Sequence, residues 1–514
     1  MSTAPSAPVD GALAPSTSPG GDLRPAVGWA LVGLLTLGLL VTWAPSLSSG
    51  LGDNHEGRIL ARHALNIANA ERDGLAASGW LSDWSPYVGD GGEQTSYAHH
   101  PPLLNLGYYA AAQVLPLPRD TAIRLFAYLL GAAMLPLGAA VLRRLGMGWP
   151  ATLVATALIA VTPLFWVYGR LHANVTLALA LVLMVVRLQE RRRIGGGELA
   201  LAALVAVAAV VAGYLGMAIA AVSGLWLLAR RGVDRVTVVM GLAMAVAAAV
   251  SLGYVVGVTG AGRVGEQLQL RTSTGEVTIP AFVARIGTWL TSLLPAWWRW
   301  LVLPTALVAG LVDRRTRALT ALLALVAVGY VVGLPNGAFV HDYWVFPLLL
   351  PVWLGAAALV EALTAGAARR WPRTTGQPGP ERAAGPVVAT ALGAGLLVVV
   401  LALGAWSGLR ADIPSRYLSG PERAGTLVRS VGPTPGQEVA WRGPGLATPR
   451  WLSYYWQLPP GELDPGQLAA LDPGHRVLVR TDRLDDLAPA LPEAVARDGD
   501  YAVVTVGQLR AARG

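Results

Sequence analysis

The stretch AVGWALVGLLTLGLLVTWA, Ala26–Ala44, decides the fold. No charge interrupts it, and its length is close to the roughly 20 apolar residues that a helix needs to cross a bilayer. It is longer than the core of a secretory signal, and no convincing small-residue cleavage site follows it. The run therefore reads as a retained membrane helix. Before it, residues 1–22 are rich in Ser, Pro, Ala and Gly without an apolar period, and read as a disordered cytoplasmic tail.

The same pattern recurs along the chain. Of 514 residues, 54% are hydrophobic and 14% charged, against about 25% charged in an ordinary soluble protein. An aqueous globule is excluded. Further apolar runs lie at 121–142, 150–168, 172–188, 198–213, 215–229, 236–258, 289–312, 318–334, 344–363 and 386–406. With the first, they make about eleven spans. In lipid the backbone must satisfy its own polar groups, so these runs predict a mainly α, polytopic helical bundle over 23–406.

The net charge of +8 comes without a single lysine. Arginines cluster between runs, at Arg143-Arg144, Arg191-Arg192-Arg193, Arg230-Arg231, Arg314-Arg315 and Arg369-Arg370. With a cytoplasmic N-terminus, every cluster falls inside. That distribution follows membrane orientation and argues against nucleic acid. The absence of cysteine excludes disulfides, thiol catalysis and Cys-ligated zinc.

Three segments then face outward. The loop 45–120 is large, and its apolar piece Leu103–Leu115 is too short to span, so it reads as an interfacial helix. Thr259–Pro280 reads as a polar loop. Residues 407–514 carry strand-like runs at Glu438–Trp441, Arg476–Arg480 and Tyr501–Val506, with a helix read at Pro465–Leu471. They predict a small extracytoplasmic α/β domain whose strand order is not readable.

Chemistry concentrates in the first outer loop, at Asp53-Asn54-His55-Glu56-Gly57-Arg58. Downstream, Leu60, Ala64, Ile67 and Ala68 share one face of Ile59–Arg72, the pattern of a helix lying on the membrane surface. Asp53 fits an N-cap with Glu56 as its capping-box partner; two carboxylates for acid–base work are the alternative. Farther along, Tyr97-Ala98-His99-His100-Pro101-Pro102-Leu103 offers a histidine pair that binds phosphate, a metal or nothing. Asp53, His55, Glu56, His99 and His100 are acceptable metal ligands without a fixed-spacing motif, which leaves a divalent metal open. Trp297, Trp298 and Trp300 read as interfacial anchors or sugar platforms, and Trp80 and Trp84 as aromatics of the first outer loop, with substrate contact as the alternative.

These residues resemble the GT-C glycosyltransferases, in particular the protein O-mannosyltransferase and lipid A aminoarabinose transferase group. The resemblance spans about residues 26–363 and is most specific at Asp53–Arg58 and His99–Leu103. Pro163–Asn174 and His341-Asp342-Tyr343 before Pro347 add to it. The chain departs from the group where His100 replaces a frequent Lys, and where Arg170, His172 and Asn174 stand near an expected second acid. The resemblance implies transfer of a sugar from a polyprenyl-phosphate carrier to a hydroxyl or amine of a cell-envelope glycan, lipid or protein. It implies Asp53 as the acceptor-side carboxylate, with Glu56 second. Arg58, His99, His100, Arg170 and His341 would hold phosphate, and Tyr343 would line the substrate site. A transporter or flippase is the rival reading, and an assembly scaffold is a third. No internal repeat is visible and the charges sit at span ends, which favours surface chemistry over transport.

Overall fold

The computed structural model describes residues 23–52, 54–83, 85, 101–191, 193–273, 277–370, 384–410, 420–431, 439–442, 450–456, 460–462, 468–481, 488 and 493–513. Asp53, Trp84, His99, His100 and the helix expected from Pro465 fall outside these, in whole or in part.

The chain begins with α1 (Pro25–Trp43), α2 (His55–Asp73), α3 (Leu103–Val114), α4 (Arg119–Arg144), α5 (Trp149–Ala160) and α6 (Pro163–Tyr168). It continues with α7 (Ala173–Glu190), α8 (Gly196–Val211), α9 (Tyr214–Arg231), α10 (Arg235–Thr259), α11 (Ala261–Thr272) and α12 (Ile279–Leu293). Then come α13 (Leu303–Val312), α14 (Arg317–Gly333), α15 (Pro335–Val340), α16 (Leu349–Arg370) and α17 (Ala384–Arg410). The last part holds α18 (Gly420–Val431), β1 (Val439–Arg442), α19 (Arg450–Trp456), β2 (Pro460–Glu462), β3 (Arg476–Arg480), β4 (Ala496–Asp498), β5 (Tyr501–Thr505) and α20 (Val506–Arg513).

Among the described residues, Pro25–Leu47, Arg119–Arg144, Arg235–Thr259, Asp342–Ala368 and Val387–Ser407 are long and apolar enough to cross a membrane. Trp149–Ala160, Gly196–Val211 and Arg317–Gly333 are shorter apolar helices. Their surroundings agree with lipid: Leu37, Val41, Leu204, Leu242, Val246 and Val398 all lie exposed, a surface that water would not tolerate over such an area. Inside, α7 is enclosed by α4, α8 and α9, while α16 packs on α5, α13 and α17. Gly355 of α16 meets the Ala306 backbone of α13, where a Cβ has no room.

Four sequence expectations change. The run 289–312 is not one helix: Ile279–Leu293 and Trp298–Val312 meet at 117°. Pro295 lies in the break, and Leu294 before it is extended at φ −126 and ψ 125, the conformation a following proline imposes. The run 150–168 is likewise divided, with Pro163 opening α6. The expected polar loop 259–280 contains α11, a helix with none of its residues buried. Finally, α2 does not lie free on a surface. Leu60, Ala61, Ala64, Leu65 and Ile67 are buried, because α4 covers one side and α19 from the far end of the chain covers another.

The strands form one sheet in the order β2-β1-β3-β5-β4, with β1 parallel to β2 and β3, and β5 antiparallel to β3 and β4. Alternation divides its faces. Val477, Val479, Ala502 and Val504 pack with Leu468 and Leu509. Leu478, Tyr501 and Val503 turn the other way and join Ala424, Leu427 and Val428 of α18 in the main core. The sheet thereby backs α18 onto the segment that follows α1. There the Gly50 amide donates to Thr426 Oγ1 (2.9 Å), and the Leu51 amide to the Tyr455 hydroxyl (2.7 Å). Tyr455 in turn donates to Asp120 (2.8 Å), which also accepts from Arg429 (3.2 Å).

Candidate active site

Asn54 caps α2, its Oδ1 accepting the Gly57 amide at 2.6 Å. The cap was expected from Asp53 with Glu56 reaching back to it. Glu56 instead turns inward and is 2% exposed. Its Oε1 accepts from Arg124 Nε and from the Tyr128 hydroxyl, both at 2.9 Å. Arg124 and Tyr128 stand one turn apart on α4 and so share a face. Arg170, in the turn between α6 and α7, places Nε 2.7 Å from Glu56 Oε2, and its Nη1 donates to Tyr128 at 2.7 Å. Arg124 spends its other donors on the carbonyls of Ser46, Ser49 and Gly50.

Among the described residues, some buried side-chain nitrogens of this region make no hydrogen bond. Arg170 Nη2 and His55 Nε2 are buried without a hydrogen-bond partner. A buried donor left unmet costs free energy, a cost that the acceptor oxygens of a ligand would relieve.

His55 belongs to a ring cluster beside that network. Its centroid lies 4.5 Å from Tyr343, 5.9 Å from Tyr168 and 6.0 Å from His341. His341 and Tyr343 are 5.2 Å apart, and His172 stacks on Phe346 at 4.3 Å. Tyr168 donates to Asp342 at 2.5 Å, and His172 Nδ1 lies 2.9 Å from the Tyr168 carbonyl. Burial pushes the His55 pKa well down, and His341, Arg62, His172 and Arg58 push it further. His341 is pushed down to about 4 by burial, then by Arg271, Arg62 and Arg58. Both imidazoles are therefore neutral near pH 7, in a positive field that an anion would relieve.

Of the sequence candidates, the structure brings Glu56 and Arg170 into direct contact. It sets His341 and Tyr343 together with His55, and gives Arg58 a share in the surrounding field. Arg124, Tyr128, Arg62, Arg271 and Glu422 escaped the sequence reading. Arg124 could have been found, because an arginine inside an otherwise apolar span is a functional signal by default. Among the described residues no three His, Asp or Glu side chains converge in a way that would hold a metal ion.

No family model matches the chain, and no curated protein matches it in sequence. The fold, however, is similar to that of a solved membrane-enzyme structure, ArnT. Superposition on ArnT from Cupriavidus metallidurans bound to undecaprenyl phosphate gives a TM-score of 0.58 at 18% identity, covering 94% of this chain and 98% of that one. The apo form of the same protein gives 0.54 at 16% identity, with the same coverage.

Proposed function

We propose that the chain is an integral membrane glycosyltransferase that moves a sugar from a polyprenyl-phosphate carrier to an acceptor on the extracytoplasmic face. The observation that carries this reading is that Arg170 Nη2 and His55 Nε2 are buried without a hydrogen-bond partner among the described residues, with His55 in the field of Arg62 and Arg58 and the neighbouring His341 in that of Arg271, Arg62 and Arg58. The ArnT to which the fold is similar was solved with undecaprenyl phosphate, and the same phosphate chemistry suits these donors. A guanidinium fork contacts phosphate oxygens in pairs.

In this reading the acceptor oxygen or nitrogen attacks the anomeric carbon as the bond from that carbon to the phosphate oxygen breaks. Asp53 takes the acceptor proton. The prenyl phosphate leaves with its charge met by Arg170 and Arg58, with His99, His100 and neutral His341 as hydrogen-bond donors and Tyr343 beside the sugar. A direct displacement inverts the anomeric centre. Glu56 has its oxygens committed to Arg124, Tyr128 and Arg170, so it orients the fork and is not the base. The apolar runs make eleven crossings in this scheme, counting the bent pair once, with the N-terminus cytoplasmic and residues 407–514 outside.

The test is transfer by full-length protein in vesicles supplied with a radiolabelled sugar on polyprenyl phosphate. A labelled product on cell-envelope acceptor, lost in Asp53→Asn, is expected. Movement of the lipid or of a solute across the vesicle without any product would favour the transporter reading instead.

A further inference from the structure

A carboxylate from the far end of the chain reaches the Glu56 network. Glu422, in the first turn of α18, is 4% exposed, and its Oε1 lies 3.9 Å from Arg124 Nη2. The Ser46 side chain hydrogen-bonds its carboxyl group, while Oε1 has no hydrogen-bond partner. Among the described residues the network thus sets two guanidiniums, Arg124 and Arg170, against two carboxyl groups, Glu56 and Glu422. Burial and Glu56 push the Glu422 pKa up while Arg124 and Arg170 push it back down, and Glu56 alone would leave one buried cation in surplus, a state that proteins avoid.

The same helix holds the chain between α1 and α2. Thr426 accepts the Gly50 amide at 2.9 Å, and Arg429 donates to the Ser48 carbonyl at 2.6 Å. Gly425 and Gly50 meet backbone to backbone, with no space for a Cβ at either. From the other side, Arg124 grips the carbonyls of Ser46, Ser49 and Gly50. The segment Ser46–Leu51 is therefore clamped between α4 and α18, a few residues before α2, whose first turn carries His55 and Glu56.

We propose that Glu422 is a positioning residue for this site: it balances Arg124, and so fixes the clamped segment and the start of α2 that bears Glu56. Its effect on catalysis rests on the transferase reading, whereas its effect on the clamp does not. Glu422 touches no substrate in this scheme. It acts by holding Arg124 against the carbonyls, and a displacement of about 1 Å in a reacting group costs about a hundredfold in rate.

The test compares wild type, Glu422→Gln, Glu422→Asp and Arg429→Ala as full-length proteins in detergent. Hydrogen exchange of amides 46–52 should rise about tenfold or more in Glu422→Gln, with α10 and α16 unchanged, and Glu422→Asp should restore part of the protection. Per folded molecule, Glu422→Gln should lose about ten- to a hundredfold in kcat while the donor KM stays within about twofold. Loss of folded protein alone would leave both constants untouched. Unchanged exchange at 46–52 in Glu422→Gln, or unchanged kcat per folded molecule, overturns the proposal. Should Glu422→Gln not fold, Arg429→Ala loosens the same clamp from its wetter side, and protection at 46–52 equal to wild type would overturn it. Raised exchange beside a wild type that makes no product would remove the transferase reading and keep the clamp.

Discussion

The two ends of α4 carry arginines in opposite circumstances. Arg124 and Arg143 lie roughly 28 Å apart along the helix. Around Arg143 the ionic groups pair mostly with near neighbours: Arg315 with Asp313 (2.9 Å), Arg231 with Asp234 (2.7 Å), and Arg187 and Arg191 with Glu198 (2.5 and 3.0 Å). These pairs are partly wet, with Arg187 36% exposed. The Arg143 guanidinium lies over Trp149 at 4.6 Å, and Glu361 accepts the Gly148 amide while pairing with Arg315 at 3.5 Å. Around Arg124 the partners are distant in sequence, the side chains are dry, and donor capacity is left over. Local, half-exposed pairs fasten loops to helix ends. A dry cluster assembled from four separate segments, with donors to spare, is what a binding site requires.

That contrast can be broken. Its largest expected effect is at Glu56. Glu56→Ala leaves Arg124 and Arg170 buried against too little negative charge and should cost about 3–5 kcal/mol, read as thermal unfolding. Next, Asp53→Asn should lower kcat about 10²–10⁴-fold with lipid-phosphate binding intact, measured by transfer and by isothermal titration. Tyr455→Phe removes the donor to Asp120 and the acceptor for Leu51. It should cost about 1–3 kcal/mol and speed proteolytic release of the tail.

A smaller effect depends on pH. Because the folded pKa of His341 is depressed from 6.5 to about 4, its contribution to stability is present above pH 6.5 and is lost as pH falls toward 4. Unfolding temperature should drop across that window, and His341→Gln should flatten the drop. The smallest effect belongs to the opposite end: Arg187→Ala should change stability by less than about 1 kcal/mol, screened as an exposed pair is. An Arg187→Ala variant as damaged as Glu56→Ala would erase the distinction between the ends.

Much of this architecture is legible in the sequence, because hydropathy is summed over long windows and membrane helices have few alternatives. The strand runs near 439, 476 and 501 are visible for a similar reason, since valine-rich alternation is local. What escapes is what local averaging hides. Arg124 and Tyr128 vanish inside an apolar window, although their spacing of four places them on one face. Pro295 breaks a span that composition alone joins. The helical period of α11 is masked by its polarity. Glu422 is invisible for a deeper reason: its partners lie across the whole membrane region, and only folding brings them within reach.

Gly50 and Gly425 touch main chain to main chain, and that contact has an evolutionary corollary. Any methyl at either position would lever the tail off the bundle, so in an alignment of homologues the two columns should vary as one. A lineage that keeps glycine in the first and loses it in the second should also have shed, or re-seated, its last hundred or so residues.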